Sequence, residues 1–184
     1  GIETRYSVIP DYHSPVQERR FFPKTDDLEP FPDMDKRMQW FAANAVALSV
    51  KAVERCIEGK LNKDEITHLI TVSCTGMSAP GLDLDIMESM DLPRDIFRTS
   101  VNFMGCYAAI HALKLADALC RSSEKANVII VCTELCTLHF QKENTMDNIT
   151  STILFGDGCA AVLVQKNEAP QKGIRLNNFF SHVA

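Results

Sequence analysis

Among the side chains of this sequence that can act as nucleophiles, Cys106 has the most suggestive setting, because it follows a strand-like run and a glycine in Asn102-Phe103-Met104-Gly105-Cys106 and a helix should begin beside it. The first N–H groups of a helix have no partner within it, and the aligned peptide dipoles leave partial positive charge there, which favours an anion. The thiolate is the attacking form of cysteine, so this position suits covalent catalysis. Position alone favours the plainer reading of a small core residue at a crowded turn, and does not decide the function. The other cysteines, Cys56, Cys74, Cys120, Cys132, Cys136 and Cys159, complete an odd set of seven that falls mostly in apolar segments, which points to a reducing compartment rather than a disulfide framework. Cys132 and Cys136 share a face of a strand-like run, but no second Cys or His pair follows at ligand spacing, so no zinc site is expected.

A nucleophile at a helix tip needs a strand to deliver it and layers to enclose it. The alternation of elements predicts both. Residues 1–33 hold five of the eight prolines and many charges, and read as an irregular, surface-wrapping segment. Asp33 is a plausible N-cap for a helix whose apolar residues Met38, Phe41, Ala45, Leu48, Ala52 and Cys56 recur at helical spacing, with Gly59 as its stop. Strands are expected at 66–74, 97–104, 127–135, 158–166 and, after a Pro/Gly-marked turn, 174–180, with a short helix at 82–90. The helix after Cys106 has its strongly polar residues His111, Lys114, Asp117 and Arg121 in one narrow stripe, so most of its surface should be buried. Repeated strand and helix alternation argues for an α/β fold with a mostly parallel sheet.

At 184 residues with 46% hydrophobic and 23% charged content, the chain can bury a sizeable core. A formal net charge of −5 provides no global attraction to nucleic acid or to an anionic membrane surface, and no apolar run is long enough to span a bilayer. A cytoplasmic protein with neither nucleic-acid nor membrane partners is expected.

The segments ITHLITVSCTGMSAPGLDLDIM, FMGCYAAIHALKLADAL, VIIVCTELCTLHF and ILFGDGCAAVLV occur in the order and spacing of one family. Together they resemble the N-terminal half of a type III polyketide synthase of the chalcone/stilbene synthase family, in a bacterial-like variant. The resemblance implies a thiolase-like fold, two α/β halves in a layered αβαβα body, of which 34–184 would be the first half and 1–33 the proline-rich irregular segment before it. It implies an acyltransferase in which Cys106 takes an acyl group from a coenzyme A thioester. The enolate from decarboxylated malonyl-coenzyme A then attacks that group in a Claisen condensation. Coenzyme A thioesters are then substrates, with no permanently bound cofactor, and the intact enzyme is a homodimer.

The family's histidine and asparagine, which meet the enolate and the oxyanion, lie in its second half. None of His13, His68, His111, His139 and His182 sits in that histidine motif. The family's first strand would precede the part resembling GIETRY. The chain is therefore expected to be a fragment that holds the nucleophile without its partners, is inactive alone, and has uncovered sheet edges.

By the same resemblance, Cys74 and Thr75 fall where the family has small hydroxylated residues lining the starter pocket, and Cys136 and His139 fall where plant members carry threonines. Phe155 matches the gating phenylalanine between the coenzyme A tunnel and the catalytic chamber, and Arg5 lies in the stretch resembling the tunnel entrance. Glu134 reads as a charge at a strand end in need of a partner. Two alternatives stand beside this reading: a ketoacyl synthase III-like condensing enzyme acting on a carrier protein, and a non-catalytic module that dimerises or binds acyl groups.

Overall fold

A computed structural model describes residues 2–166 and 173–182. After the N-terminal segment come helix α1 (Met34–Ile57), strand β1 (His68–Ser73), helix α2 (Leu82–Met90), strand β2 (Phe97–Asn102), helix α3 (Ala108–Ser122), strand β3 (Asn127–Leu135), helix α4 (Met146–Leu154) and strand β4 (Asp157–Gln165). The four strands form one sheet in the order β2-β1-β3-β4. β1 runs parallel to both β2 and β3, and β4 returns antiparallel to β3. This is an α/β fold with a mostly parallel sheet, as the alternation of elements predicts.

Strand alternation sends successive side chains to opposite faces, and each face has its own cluster. Leu69, Ile129, Val131 and Leu135 join Phe41, Ala45, Val53 and Ile57 of α1 and Ile86 of α2 on one side. Ile70, Val72, Val128 and Ile130 meet Ala108, Ala112, Ala116 and Cys120 of α3 on the other. Asp33 caps α1 by accepting a hydrogen bond from the Lys36 N–H at 2.9 Å. Gly59, just past the end of α1, takes a left-handed φ of 66°. Gly76 lies against the Phe41 ring, where an added Cβ would stand 2.2 Å from the nearest ring atom, so the β1–α2 loop can cross α1 only because this residue is glycine.

Three expectations are corrected. The N-terminal segment does have little regular structure, with two short 3-10 turns at Pro10–His13 and Val16–Glu18. It does more than wrap the surface, however, since Ile9, Phe21 and Phe22 are buried in the α1-side core. Asp11 makes this possible: its buried carboxylate accepts the N–H groups of Arg20, Phe21 and Phe22 at 2.8, 2.8 and 2.7 Å, so backbone with no strand partner enters the interior satisfied. Second, α3 is buried only along its alanine stripe, while Ile110 is 46% exposed. This chain covers one side of that helix and not the other. Third, residues 174–180 form no strand; the Pro170 end of the turn before them lies outside the described residues. With Ile174 95% and Phe180 86% exposed, no burial offsets the entropy of ordering a strand there.

Candidate active site

The carboxyl ends of β1 and β3 and the start of α3 meet on the α3 side of the sheet. There they enclose a cavity of about 620 Å³. Parity decides which residues reach it. Val72 and Cys74 follow one another at a spacing of two along β1 and its exit, as do Cys132, Glu134 and Cys136 along β3. Cys106 reaches the cavity from the turn before α3.

That turn is tight. Phe103 has φ of 57° and Gly105 φ of 78°, both left-handed, which brings the chain round between β2 and α3 within a few residues. For phenylalanine this backbone costs on the order of 1 kcal/mol, a local strain held by the Phe103 N–H bond to the Ser73 carbonyl at 3.1 Å. The helix begins at Ala108 with Tyr107 as its N-cap residue, two positions after Cys106, and no side chain caps it. Cys106 is exposed at the positive end of a 15-residue helix.

Glu134 is the anchor of the opposite wall. Its carboxylate accepts the Cys74 N–H at 2.9 and 3.1 Å and the Thr75 hydroxyl at 2.6 Å, and the Thr75 oxygen accepts the Leu135 N–H at 2.8 Å. Thr75 is thereby fixed between two strand ends. His139 donates Nε2–H to the Thr75 carbonyl at 2.6 Å; a carbonyl only accepts, so this contact places the proton on Nε2. Burial pushes the Cys136 thiol up to about 11, helped by the carboxylates of Glu134 and Asp157, and burial likewise pushes Cys132 to about 11. Both therefore remain protonated thiols at neutral pH.

A second knot ties the N-terminal segment to this wall. Asp157 accepts the Val8 N–H at 2.7 Å, the Thr137 N–H at 2.8 Å and the Thr137 hydroxyl at 2.6 Å, while its own N–H bonds the Tyr6 carbonyl at 2.8 Å. Arg5 donates to the Phe155 carbonyl at 3.2 Å. Gly156 permits the crossing, since an added Cβ would stand 3.2 Å from the Tyr6 carbonyl oxygen.

Every position singled out from the sequence lies on this one cavity: Cys106, Cys74, Thr75, Cys136, His139, Phe155 and Arg5. Sequence reasoning missed the contribution of α4, whose Asn148, Ser151 and Thr152 also line it. The available signal was Thr145, which caps α4 by accepting the Asn148 N–H, followed by apolar Ile149 and Ile153 four apart. The β-branched run Ile149-Thr150, Thr152-Ile153 masked it. Among the described residues no cluster of His, Cys, Asp or Glu suits a metal ion, and no helix is long and apolar enough to cross a membrane.

Residues 22–168 match the family of chalcone and stilbene synthases, N-terminal domain. The chain is 35% identical over 137 residues to the alpha-pyrone synthesis polyketide synthase-like Pks18 of Mycobacterium tuberculosis, covering 74% of this chain and 35% of that protein. It is 29% identical over 167 residues to probable polyketide synthase 1 of Dictyostelium discoideum, covering 90% of this chain and 5% of that much longer protein. The crystal structure of the C-terminal type III polyketide synthase domain of Steely1, a type I/III hybrid from Dictyostelium, superposes with a TM-score of 0.69 at 30% identity, over 71% of this chain and 36% of that one. The chain thus spans about a third or less of these relatives. It belongs to the chalcone and stilbene synthase family of type III polyketide synthases, and the part matched is the N-terminal domain.

Proposed function

We propose, from that membership, that Cys106 is the acyl-carrying nucleophile of a polyketide-extending acyltransferase. Its thiolate attacks the carbonyl carbon of an acyl-coenzyme A, and the tetrahedral oxyanion collapses to expel the coenzyme A thiolate, which takes up a proton. Malonyl-coenzyme A then loses carbon dioxide, and the freed electron pair forms an enolate whose α-carbon attacks the acyl group. The bond to Cys106 breaks and the chain leaves two carbons longer. The observation that carries this reading is the convergence of Cys106 with the six other family-matched positions on one cavity.

Within the cavity, Cys74, Thr75, Cys136 and His139 are the proposed walls for the starter and the growing chain, and Phe155 the proposed gate. Arg5 has one guanidinium nitrogen engaged by the Phe155 carbonyl, which leaves further N–H groups for a coenzyme A phosphate. No cofactor is held permanently in this scheme. A homodimer in the cytoplasm belongs to the same reading. Its support is β2, which among the described residues pairs with β1 alone and has five of its six residues exposed.

Condensation needs preorganised donors for the enolate and the oxyanion. His139 is the histidine on this cavity, and its Nε2–H is already spent on Thr75. The chain by itself is therefore expected to accept an acyl group without turning over. Intact-mass measurement after exposure to an acyl-coenzyme A should show one acyl adduct, absent from Cys106→Ala. Carbon dioxide release from malonyl-coenzyme A should stay at the level of that variant. An adduct that survives the substitution, or no adduct under any condition, sinks the assignment and leaves a non-catalytic module.

A further inference from the structure

A second thiol stands against the turn that carries Cys106. β1 and β2 are parallel neighbours paired up to Ser73 and Asn102, and adjacent strands lie about 4.8 Å apart. The Phe103 N–H to Ser73 carbonyl bond carries that pairing one residue further. Past it, the Cys74 thiol contacts the Gly105 carbonyl at 3.8 Å, the peptide group that leads directly into Cys106. Two contacts thus bracket the turn and hold Cys74 against it. Both residues line the same cavity, Cys74 half-buried and Cys106 exposed.

We propose that Cys74 and Cys106 form a reversible disulfide, so that a hydroperoxide switches the nucleophile off without destroying it. The Cys106 thiolate attacks one peroxide oxygen; the O–O bond breaks, hydroxide leaves and is protonated, and Cys106 becomes a sulfenic acid. The sulfur of Cys74 then attacks the sulfenic sulfur, the S–S bond forms, and the S–O bond breaks. The departing hydroxide takes the proton given up by Cys74. In sum two thiols lose two electrons and two protons, and the peroxide is reduced to two molecules of water, or of water and an alcohol. A thiol in excess reverses the bridge by exchange.

Cys132 and Cys136 are poorer partners. They lie on the same cavity, but each is held as the neutral thiol by its surroundings, and resolution of a sulfenic acid runs through thiolate character. The Cys74 backbone is held in place, its N–H anchored by Glu134 while the side chain turns toward Gly105. The switching role rests on the proposed nucleophile, but formation of the bridge itself requires no acyl transfer. A chain that forms it and never takes an acyl group overturns the reading above and leaves the bridge standing.

The test treats the chain with limiting hydrogen peroxide, quenches, alkylates the remaining thiols and maps tryptic peptides without reduction. Of the seven cysteines, all free in this structure, five should remain alkylatable, and one cross-link should join peptide 64–94 to peptide 99–114. Dithiothreitol should restore all seven. In Cys74→Ser, checked for folding by circular dichroism, the cross-link should vanish and Cys106 should be trapped as a sulfenic acid by dimedone or pass to the sulfinic acid. A bridge from Cys106 to Cys132 or Cys136, or direct passage to the sulfinic acid in the unaltered chain, overturns the proposal. So does the absence of thiol loss.

Discussion

On the α1 side of the sheet, Leu69, Ile129 and Val131 lie under a 24-residue helix and an N-terminal segment that adds Ile9, Phe21 and Phe22. On the α3 side, Ile70, Val72 and Ile130 meet the alanine stripe of one helix, and the larger Leu113, Leu115 and Leu119 of that helix pack against this cluster only half-buried. Alanines let a helix backbone approach a sheet closely, at the cost of burying little area per residue. Ile110 is largely exposed, and Leu113, Leu115 and Leu119 are only half-buried at the margins of that cluster, so α3 keeps apolar surface beyond its stripe. That is the pattern of a middle layer. The cavity with Cys106 opens on this thinner side, so the larger core and the cavity lie on opposite faces of one sheet.

The largest expected contrast comes from truncating one side chain on each face. Phe41 is 1% exposed and packs over Gly76, and Phe41→Ala should lower the unfolding free energy by about 3–5 kcal/mol in urea titration. Next, Ala112, fully buried against the sheet, has no room for added methylenes, and Ala112→Leu should cost about 1–3 kcal/mol by the same measurement. Glu134→Ala, which strips the Cys74 N–H and the Thr75 hydroxyl of their acceptor, should cost about 1–3 kcal/mol. Amide exchange should accelerate at residues 74–76 and stay unchanged in α1. Ile110→Ala, on the outer side of α3, should change stability by no more than about 0.5 kcal/mol. If Ile110→Ala costs as much as Phe41→Ala, the two faces do not differ as described.

The smallest effect concerns pH. The folded chain keeps Cys132 and Cys136 protonated up to about 11, whereas in the unfolded chain they ionise near the ordinary value of 9.0. The unfolded state releases its protons first, so stability present below pH 9 should fall as pH rises from 9 to 11. Both thiols are half-buried, so solvent screening keeps the loss modest. Comparing the Cys132→Ala variant with the parent chain across that range should show a flatter pH dependence in the variant.

Much of this arrangement was legible before any coordinates. β3 covers 127–135 and α2 covers 82–90 as their periodicity predicts, because a run such as Asn127–Leu135 is apolar, β-branched and bounded by polar turns. What periodicity misjudged was exposure. A helix with one narrow polar stripe reads as buried on every other side, yet how many layers cover it depends on what else is present. Residues 174–180 read as a strand on local pattern alone, but their apolar side chains Ile174 and Phe180 find no burial to offset the ordering of a strand, and they form none. Asp11 carried no signal at all, since its three acceptor contacts are to N–H groups nine to eleven residues away.

The amino-acid order by itself determined most of the elements and the place of Cys106 beside the start of α3, because caps, glycines and the periods of strand and helix act over a few neighbouring residues. Only the tertiary structure decided which residues share the cavity. The parallel register that sets Val72 beside Cys132 carries Cys74 to Glu134 at the strand ends. A shift of one residue would have sent the whole set to the other face. Register is settled by packing between segments some sixty residues apart in the chain, which local sequence does not encode.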